Sequence, residues 1–99
     1  MPFKAGDVVR SLRTKGFRED RKRDHVYLHH YYNGRLTGVH TKVSHGSGGE
    51  EIGHELVRRM KLQLKLLSPA EVIELVECPM TEERYVSLLK QRGVIPPNR

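Results

Sequence analysis

The dipeptide Asn33-Gly34 is the feature that most limits how this chain folds. It lies between two runs that are rich in β-branched and aromatic residues. A two-residue type I′ turn requires a positive φ angle at both central residues, and Asn-Gly adopts such angles at little cost. The dipeptide therefore predicts a tight antiparallel hairpin.

If Tyr32 and Arg35 flank that turn, the register of the hairpin follows. The predicted pairs are Leu28 with Val39, Val26 with Thr41, Tyr27 with His40, and His25 with Lys42. The apolar face of the hairpin then carries Val26, Leu28, Val39 and Val43. The other face carries His25, Tyr27, His29, His40 and Lys42. A basic, imidazole-rich face opposite a helix-covered one is typical of a nucleic-acid-binding sheet, with ordinary solvated strand residues as the alternative.

Helical periodicity and capping signals predict four helices around this hairpin. The first spans about residues 5–15, with Gly16 as its stop. The capping-box spacing of Ser47 and Glu50 opens a second helix over about residues 50–63, and Ser68-Pro69 and Thr81 open two more. A polar segment after Phe17 predicts a short edge strand. The order α, β, β, β, α, α, α indicates an α+β fold with a three-stranded antiparallel sheet.

Composition limits the class of protein further. The chain has 99 residues and a net charge of +6, which suits one compact domain and excludes a large multidomain enzyme. Residues 1–49 hold ten Lys and Arg against four Asp and Glu, whereas residues 50–99 hold eight of each. This excess favours a polyanionic partner such as RNA. The lone Cys78 and the lack of a long apolar segment predict a cytoplasmic protein that does not cross a membrane.

The chain contains six histidines, of which five lie in the hairpin or just after it. His25 and His29 share a face but are about 13 Å apart along an extended strand, so they cannot share one ion. His29 and His40 are predicted diagonal neighbours that could share one, but no carboxylate or cysteine on that face completes a ligand set, so we predict no metal site and no cofactor. Acid and base catalysis on RNA is the alternative, because an imidazole transfers protons near neutral pH. His25 opposite Lys42, beside the run Arg21-Lys22-Arg23, supplies a proton-transfer group with phosphate-binding neighbours. Tyr27 and Tyr31 are candidates for stacking on unpaired bases.

Three stretches give the chain a resemblance to a known family. They are Leu12-Arg13-Thr14-Lys15-Gly16-Phe17, the strand that opens with His25, and Thr41-Lys42-Val43-Ser44-His45-Gly46 with the helix that ends at Met60–Leu66. In order and spacing they resemble the HicA toxins of HicA–HicB toxin-antitoxin systems, also described as YcfA-like proteins. The resemblance covers about residues 5–67, and two further helices follow it.

The resemblance implies a fold like that of double-stranded-RNA-binding domains (dsRBD-like), αβββα over residues 1–67. Residues 68–99 exceed the usual length of that family, and we predict that they form a helical extension packed on or beside this domain. It also implies metal-independent cleavage of messenger RNA by an endoribonuclease, with His25 as the catalytic histidine, and neutralisation by a HicB-like antitoxin. The candidates for a second acid or base are His29, His40 and His45. The candidates for RNA contacts are Arg21, Lys22, Arg23, Tyr27 and Lys42.

Two other functions remain open from the sequence. One is a non-catalytic RNA-binding module that uses the same sheet face, which predicts salt-sensitive binding without strand scission. The other is a protein-interaction domain whose C-terminal helices bind a partner or form a homodimer.

Overall fold

The structure, a computed structural model, describes residues 4–22, 25–44, 53–77 and 79–96. The elements in chain order are α1 (Ala5–Arg13), β1 (Phe17–Arg21), β2 (His25–Tyr32), β3 (Arg35–Ser44), α2 (His54–Gln63), α3 (Pro69–Val76) and α4 (Glu82–Gln91). The strands form one antiparallel sheet in the order β1-β2-β3. The predicted α+β class, the order of elements and the edge position of β1 are confirmed.

The capping signals explain where the last two helices begin. The hydroxyl of Ser68 accepts a hydrogen bond from the Glu71 amide at 3.3 Å, and that of Thr81 accepts one from the Arg84 amide at 3.2 Å. Helix α2 begins at His54, later than the predicted start at about residue 50, because the backbone of its N-cap Gly53 is extended (φ −83°, ψ 177°). The predicted capping residues Ser47 and Glu50 lie outside the described residues, as does Cys78. No helix in the described ranges is long and apolar enough to cross a membrane.

The hairpin turn forms as predicted, but the predicted register is wrong from His29 onward. Asn33 and Gly34 have φ angles of 54° and 76°, and Tyr32 pairs with Arg35. Tyr31 still pairs with Leu36 in the predicted register, but from His29 onward every pair is displaced by two residues along β3. The observed partners are His29 with His40, Leu28 with Thr41, Tyr27 with Lys42, Val26 with Val43 and His25 with Ser44.

A bulge at Thr37 and Gly38 causes this displacement. Between the Tyr31 and His29 pairs, β2 contributes only His30, whereas β3 contributes Thr37, Gly38 and Val39. Gly38 has a φ of 90°, which glycine adopts without strain. The Thr37 hydroxyl donates to the His30 carbonyl at 3.2 Å and accepts from the Val39 amide at 3.3 Å. Since two residues are one full period of a strand, each side chain keeps its predicted face.

The inner face of the sheet forms one side of the hydrophobic core. Val26, Leu28, Val39 and Val43 are each at most 3% exposed, as predicted. They belong to one buried cluster that extends from Ala5 in α1 to residues after α4.

Polar contacts tie the C-terminal helices to the elements that precede them in the chain. The ammonium of Lys15, just after α1, is buried and donates to the Leu75 carbonyl at 2.8 Å and to the Met80 carbonyl. Ser11 donates to the same Leu75 carbonyl at 3.3 Å. Tyr85 of α4 is fully buried and donates to the Leu64 carbonyl at 2.8 Å. Residues 69–96 therefore complete the core that residues 4–66 begin.

His30 is part of this core and not of the open face. Its ring is fully buried, 4.9 Å from the ring of Phe17 and 5.4 Å from that of Tyr85 between centroids. The Thr37 hydroxyl already donates elsewhere, so it accepts from Nδ1, 3.1 Å away, and Nδ1 carries the proton. Burial lowers the pKa of His30 to about 4, although the backbone carbonyl of Lys15 favours the charged form. His30 is therefore a neutral core residue at physiological pH.

Candidate nucleic-acid interface

The outer face of the sheet, which we call the open face, carries polar and aromatic side chains from all three strands. Alternation on β2 places every second residue there, namely His25, Tyr27, His29 and Tyr31, and each is half-buried. Pairing places Arg18 and Asp20 of β1 beside His29 and Tyr27. On the other side, the same rule places His40 and Lys42 of β3.

Four rings form a continuous line across this face, the ring ladder. The centroid of His25 lies 6.2 Å from that of Tyr27, and Tyr27 lies 6.2 Å from His29 with the two rings inclined by only 13°. The ladder then crosses to β3, where the centroid of His40 is 5.8 Å from that of His29. Rings held at these spacings offer flat surfaces on which unpaired bases can stack.

Cations lie beside the rings. The guanidinium carbon of Arg18 is 4.0 Å from the centroid of the Tyr31 ring, and Nζ of Lys42 is 6.0 Å from that of Tyr27. Nζ of Lys22 lies 3.4 Å from a carboxylate oxygen of Asp20. The open face thus places the cations of Arg18 and Lys42 beside aromatic rings, whereas Lys22 is paired with Asp20. A cation beside a ring suits a phosphate backbone with exposed bases.

At one end of the ladder, His25 lines a cleft between the sheet and α2. The cleft has a volume of about 240 Å³, and its lining residues are His25, Lys42, Val43, Glu55, Leu56, Arg59 and Gln63. Gln63 fixes α2 against the sheet because its side-chain oxygen accepts a hydrogen bond from the Thr41 hydroxyl at 2.6 Å. The cleft therefore brings one imidazole, two cations and one carboxylate around a space large enough for a phosphodiester.

The structure brings together some of the predicted site residues and separates others. His25, Tyr27 and Lys42 share the open face, although Lys42 lies diagonally from His25 and not directly opposite it as predicted. Lys22 lies at the end of β1, where its amide donates to the His25 carbonyl at 2.8 Å. His29 and His40 are direct partners, not diagonal neighbours, at the far end of the ladder from His25.

Arg21 does not lie on the open face. It pairs with Val26, whose side chain is buried on the inner face, and its guanidinium forms an ion pair with Glu19. The reason is alternation along β1, which sends neighbouring residues of the predicted basic run to opposite faces. Arg23 and His45 lie outside the described residues.

Three residues of the site did not figure in the sequence predictions. Arg18 follows the buried Phe17 on β1, so alternation along the strand was a usable signal for its outward position. Glu55 and Arg59 are one helical turn apart, which predicts a shared helix face. Nothing in their spacing indicates that this face meets His25, because the contact depends on how α2 packs against β3.

In the described part of the chain, no three His, Cys, Asp or Glu side chains come together in a group that could hold a metal ion. Comparison of the chain with models of known protein families, with curated proteins and with solved structures found no match.

Proposed function

We propose that the protein is a metal-independent endoribonuclease that binds single-stranded RNA on the open face and cleaves it in the cleft beside His25. The position of His25 is the observation that carries this proposal. Its ring ends the ladder on which bases would stack, and it lines the cleft with Lys42 and Arg59. A strand of RNA lying along the ladder would bring a phosphodiester to that cleft.

The chemistry follows from these groups. Attack of a ribose 2′-oxygen on the adjacent phosphorus forms a P–O2′ bond and breaks the P–O5′ bond. A base must accept the 2′-hydroxyl proton, an acid must donate a proton to the leaving 5′-oxygen, and cations must stabilise the negative charge on the phosphorane. His25 is able to perform either proton transfer, and Lys42 and Arg59 supply the cations. The products are a 2′,3′-cyclic phosphate and a 5′-hydroxyl.

The resemblance to the HicA toxins supports the same function and adds a substrate and a partner to the proposal. The order α1, β1, β2, β3, α2 fits the dsRBD-like αβββα arrangement expected of that family, and His25 opens β2 where the family carries its histidine. We therefore include in the proposal that the RNA is messenger RNA and that a HicB-like antitoxin covers the open face. A reading frame for a small HicB-like protein beside this one is the simplest supporting observation.

The cleavage test compares wild-type protein with His25→Ala on a labelled single-stranded RNA in the presence of a chelator. We expect the wild type to produce ends with a 2′,3′-cyclic phosphate and His25→Ala to be slower by a factor of about 10² to 10⁴, the usual contribution of a general acid or base. A matched RNA with 2′-deoxyribose at the cleaved position should resist cleavage, because it lacks the attacking hydroxyl.

Arg10→Ala is the protein control, since Arg10 is an exposed residue of α1 on the helix-covered side of the sheet. It should cleave RNA at the wild-type rate. Equal cleavage by folded wild type and folded His25→Ala would exclude a catalytic role for His25. RNA binding that weakens with salt but gives no products would instead identify a non-catalytic RNA-binding module on the same face.

A further inference from the structure

Cleavage by the proposed route needs a second proton-transfer group close to His25. Of the three imidazoles predicted for it, His29 and His40 lie too far away, and His45 lies outside the described residues. Two ring spacings of 6.2 Å separate His25 from His29, and His40 lies one spacing farther along the ladder. One phosphodiester presents its 2′-oxygen and 5′-oxygen only a few ångströms apart. His29 and His40 therefore cannot reach the same phosphodiester as His25, and they are better placed to contact bases.

The cleft itself contains a different candidate. Its charged and titratable side chains are His25 and Lys42 from the sheet and Glu55 and Arg59 from α2. Glu55 is the one carboxylate among these described lining residues. Because Glu55 and Arg59 are one turn apart on α2, they project toward the same side of the helix. That side faces His25 across the cleft.

We infer that Glu55 is the second catalytic residue, the base that accepts the 2′-hydroxyl proton, while His25 is the acid that protonates the leaving 5′-oxygen. This inference rests on the proposed function. A carboxylate is able to accept a proton and an imidazolium is able to donate one, so the two side chains on either side of the cleft supply the base and the acid that the reaction needs. Lys42 and Arg59 hold the phosphate between them.

The protons and bonds balance in this arrangement. The Glu55 carboxylate takes the proton from the 2′-hydroxyl as O2′ bonds to phosphorus. The P–O5′ bond then breaks and takes its electron pair to O5′, which receives the proton from the His25 imidazolium. Exchange of a proton with water returns both side chains to their starting states.

The test compares Glu55→Gln with the matched control Glu74→Gln, an exposed glutamate of α3 that does not line the cleft. Each protein is assayed on the same single-stranded RNA from about pH 4 to pH 9. For Glu55→Gln we expect kcat to fall about a hundredfold with little change in KM, and the acidic limb of the pH–rate profile to disappear. Glu74→Gln should keep the rate and both limbs of the wild type.

Each other outcome overturns the inference in a recognisable way. If His25→Ala is inactive but Glu55→Gln keeps the wild-type rate and its acidic limb, the proposed function stands and Glu55 has no catalytic role. If His45→Ala removes that limb and Glu55→Gln does not, His45 is the second group. If the wild type cleaves no RNA at all, the inference falls together with the proposed function.

Discussion

Strand β2 presents histidine to two opposite environments. On the inner face, His30 is fully buried between Phe17 and Tyr85, keeps Nδ1 in a hydrogen bond to Thr37, and has its pKa lowered to about 4. On the open face, His29 is only half-buried, and its ring stands in line with the ring of Tyr27. The two residues are neighbours in sequence and differ only in the side of the sheet from which they project.

This contrast shows that the role of an imidazole here is set by its face. The inner face turns His30 into a packing residue that resists protonation, since burial penalises the charged form. The open face leaves rings and cations accessible to a ligand. Substitutions on the inner face should therefore affect the free energy of unfolding, whereas the proposed function predicts that substitutions on the open face affect RNA binding and cleavage.

The difference between the two faces is tested most strongly by truncating one residue on each face of β2. Leu28 is fully buried, so we expect Leu28→Ala to lower the free energy of unfolding by about 3 kcal/mol. Tyr27 is half-buried on the open face, so Tyr27→Ala should cost about 1 kcal/mol at most while weakening RNA binding through loss of a stacking surface. Urea unfolding and RNA titration measure the two effects. Equal destabilisation by both variants would mean that the open face is part of the core.

A smaller effect concerns the pH dependence of stability, which His30 should dominate between pH 7 and pH 5. Its pKa is about 4 in the folded protein and about 6.5 in the unfolded chain. Between these values the unfolded chain binds a proton that the folded protein does not, so stability is complete above pH 6.5 and falls as the pH falls toward 4. The expected loss from pH 7 to pH 5 is about 2 kcal/mol.

Two variants check the origin of this pH dependence. His30→Asn retains a donor near the position of Nδ1 but cannot titrate, so its free energy of unfolding should change much less between pH 7 and pH 5. His29→Asn is the matched control on the open face and should keep the wild-type slope. If His29→Asn flattens the slope and His30→Asn does not, the assignment of the buried titrating residue is wrong.

The proposed function also predicts that a single cation on the open face contributes to RNA affinity, by less than the two stability effects above. Arg18→Ala should weaken binding of single-stranded RNA by about 1 kcal/mol and reduce the slope of log K against log salt by about 0.7, which corresponds to one phosphate contact. Arg10→Ala removes the same charge from the helix-covered side and should change neither quantity appreciably. Fluorescence titrations at several salt concentrations measure both, and equal losses in the two variants would point to non-specific attraction.

Local rules were sufficient to predict the two faces but not the register. Asn33-Gly34 determines the turn, and alternation from there assigns His25, Tyr27 and Lys42 to one side. The bulge at Gly38 moves the partners by two residues, and its only sequence signal is a glycine inside a strand. Because the displacement is even, the faces were predicted correctly although every pair beyond the bulge was wrong.

The position of the cleft depends on how α2 packs against the sheet, which local sequence patterns do not predict. His25 and Glu55 belong to elements that are far apart in sequence, and the Thr41–Gln63 hydrogen bond helps to determine where α2 lies on the sheet. The position of Arg21 shows a second limit of prediction from sequence. The run Arg21-Lys22-Arg23 predicts one basic patch, but alternation along β1 places Arg21 on the inner side of the sheet.

The buried ammonium of Lys15 has a consequence for the order in which a ribosome completes the protein. Its acceptors, the carbonyls of Leu75 and Met80, leave the exit tunnel long after the hairpin has emerged. Until then, Phe17 and His30 have no cover from Tyr85, which is synthesised later still. The inner side of the sheet is consequently complete only once the chain has been synthesised as far as Tyr85, and until then the surface around Phe17 and His30 is open to water on the side that Tyr85 later covers.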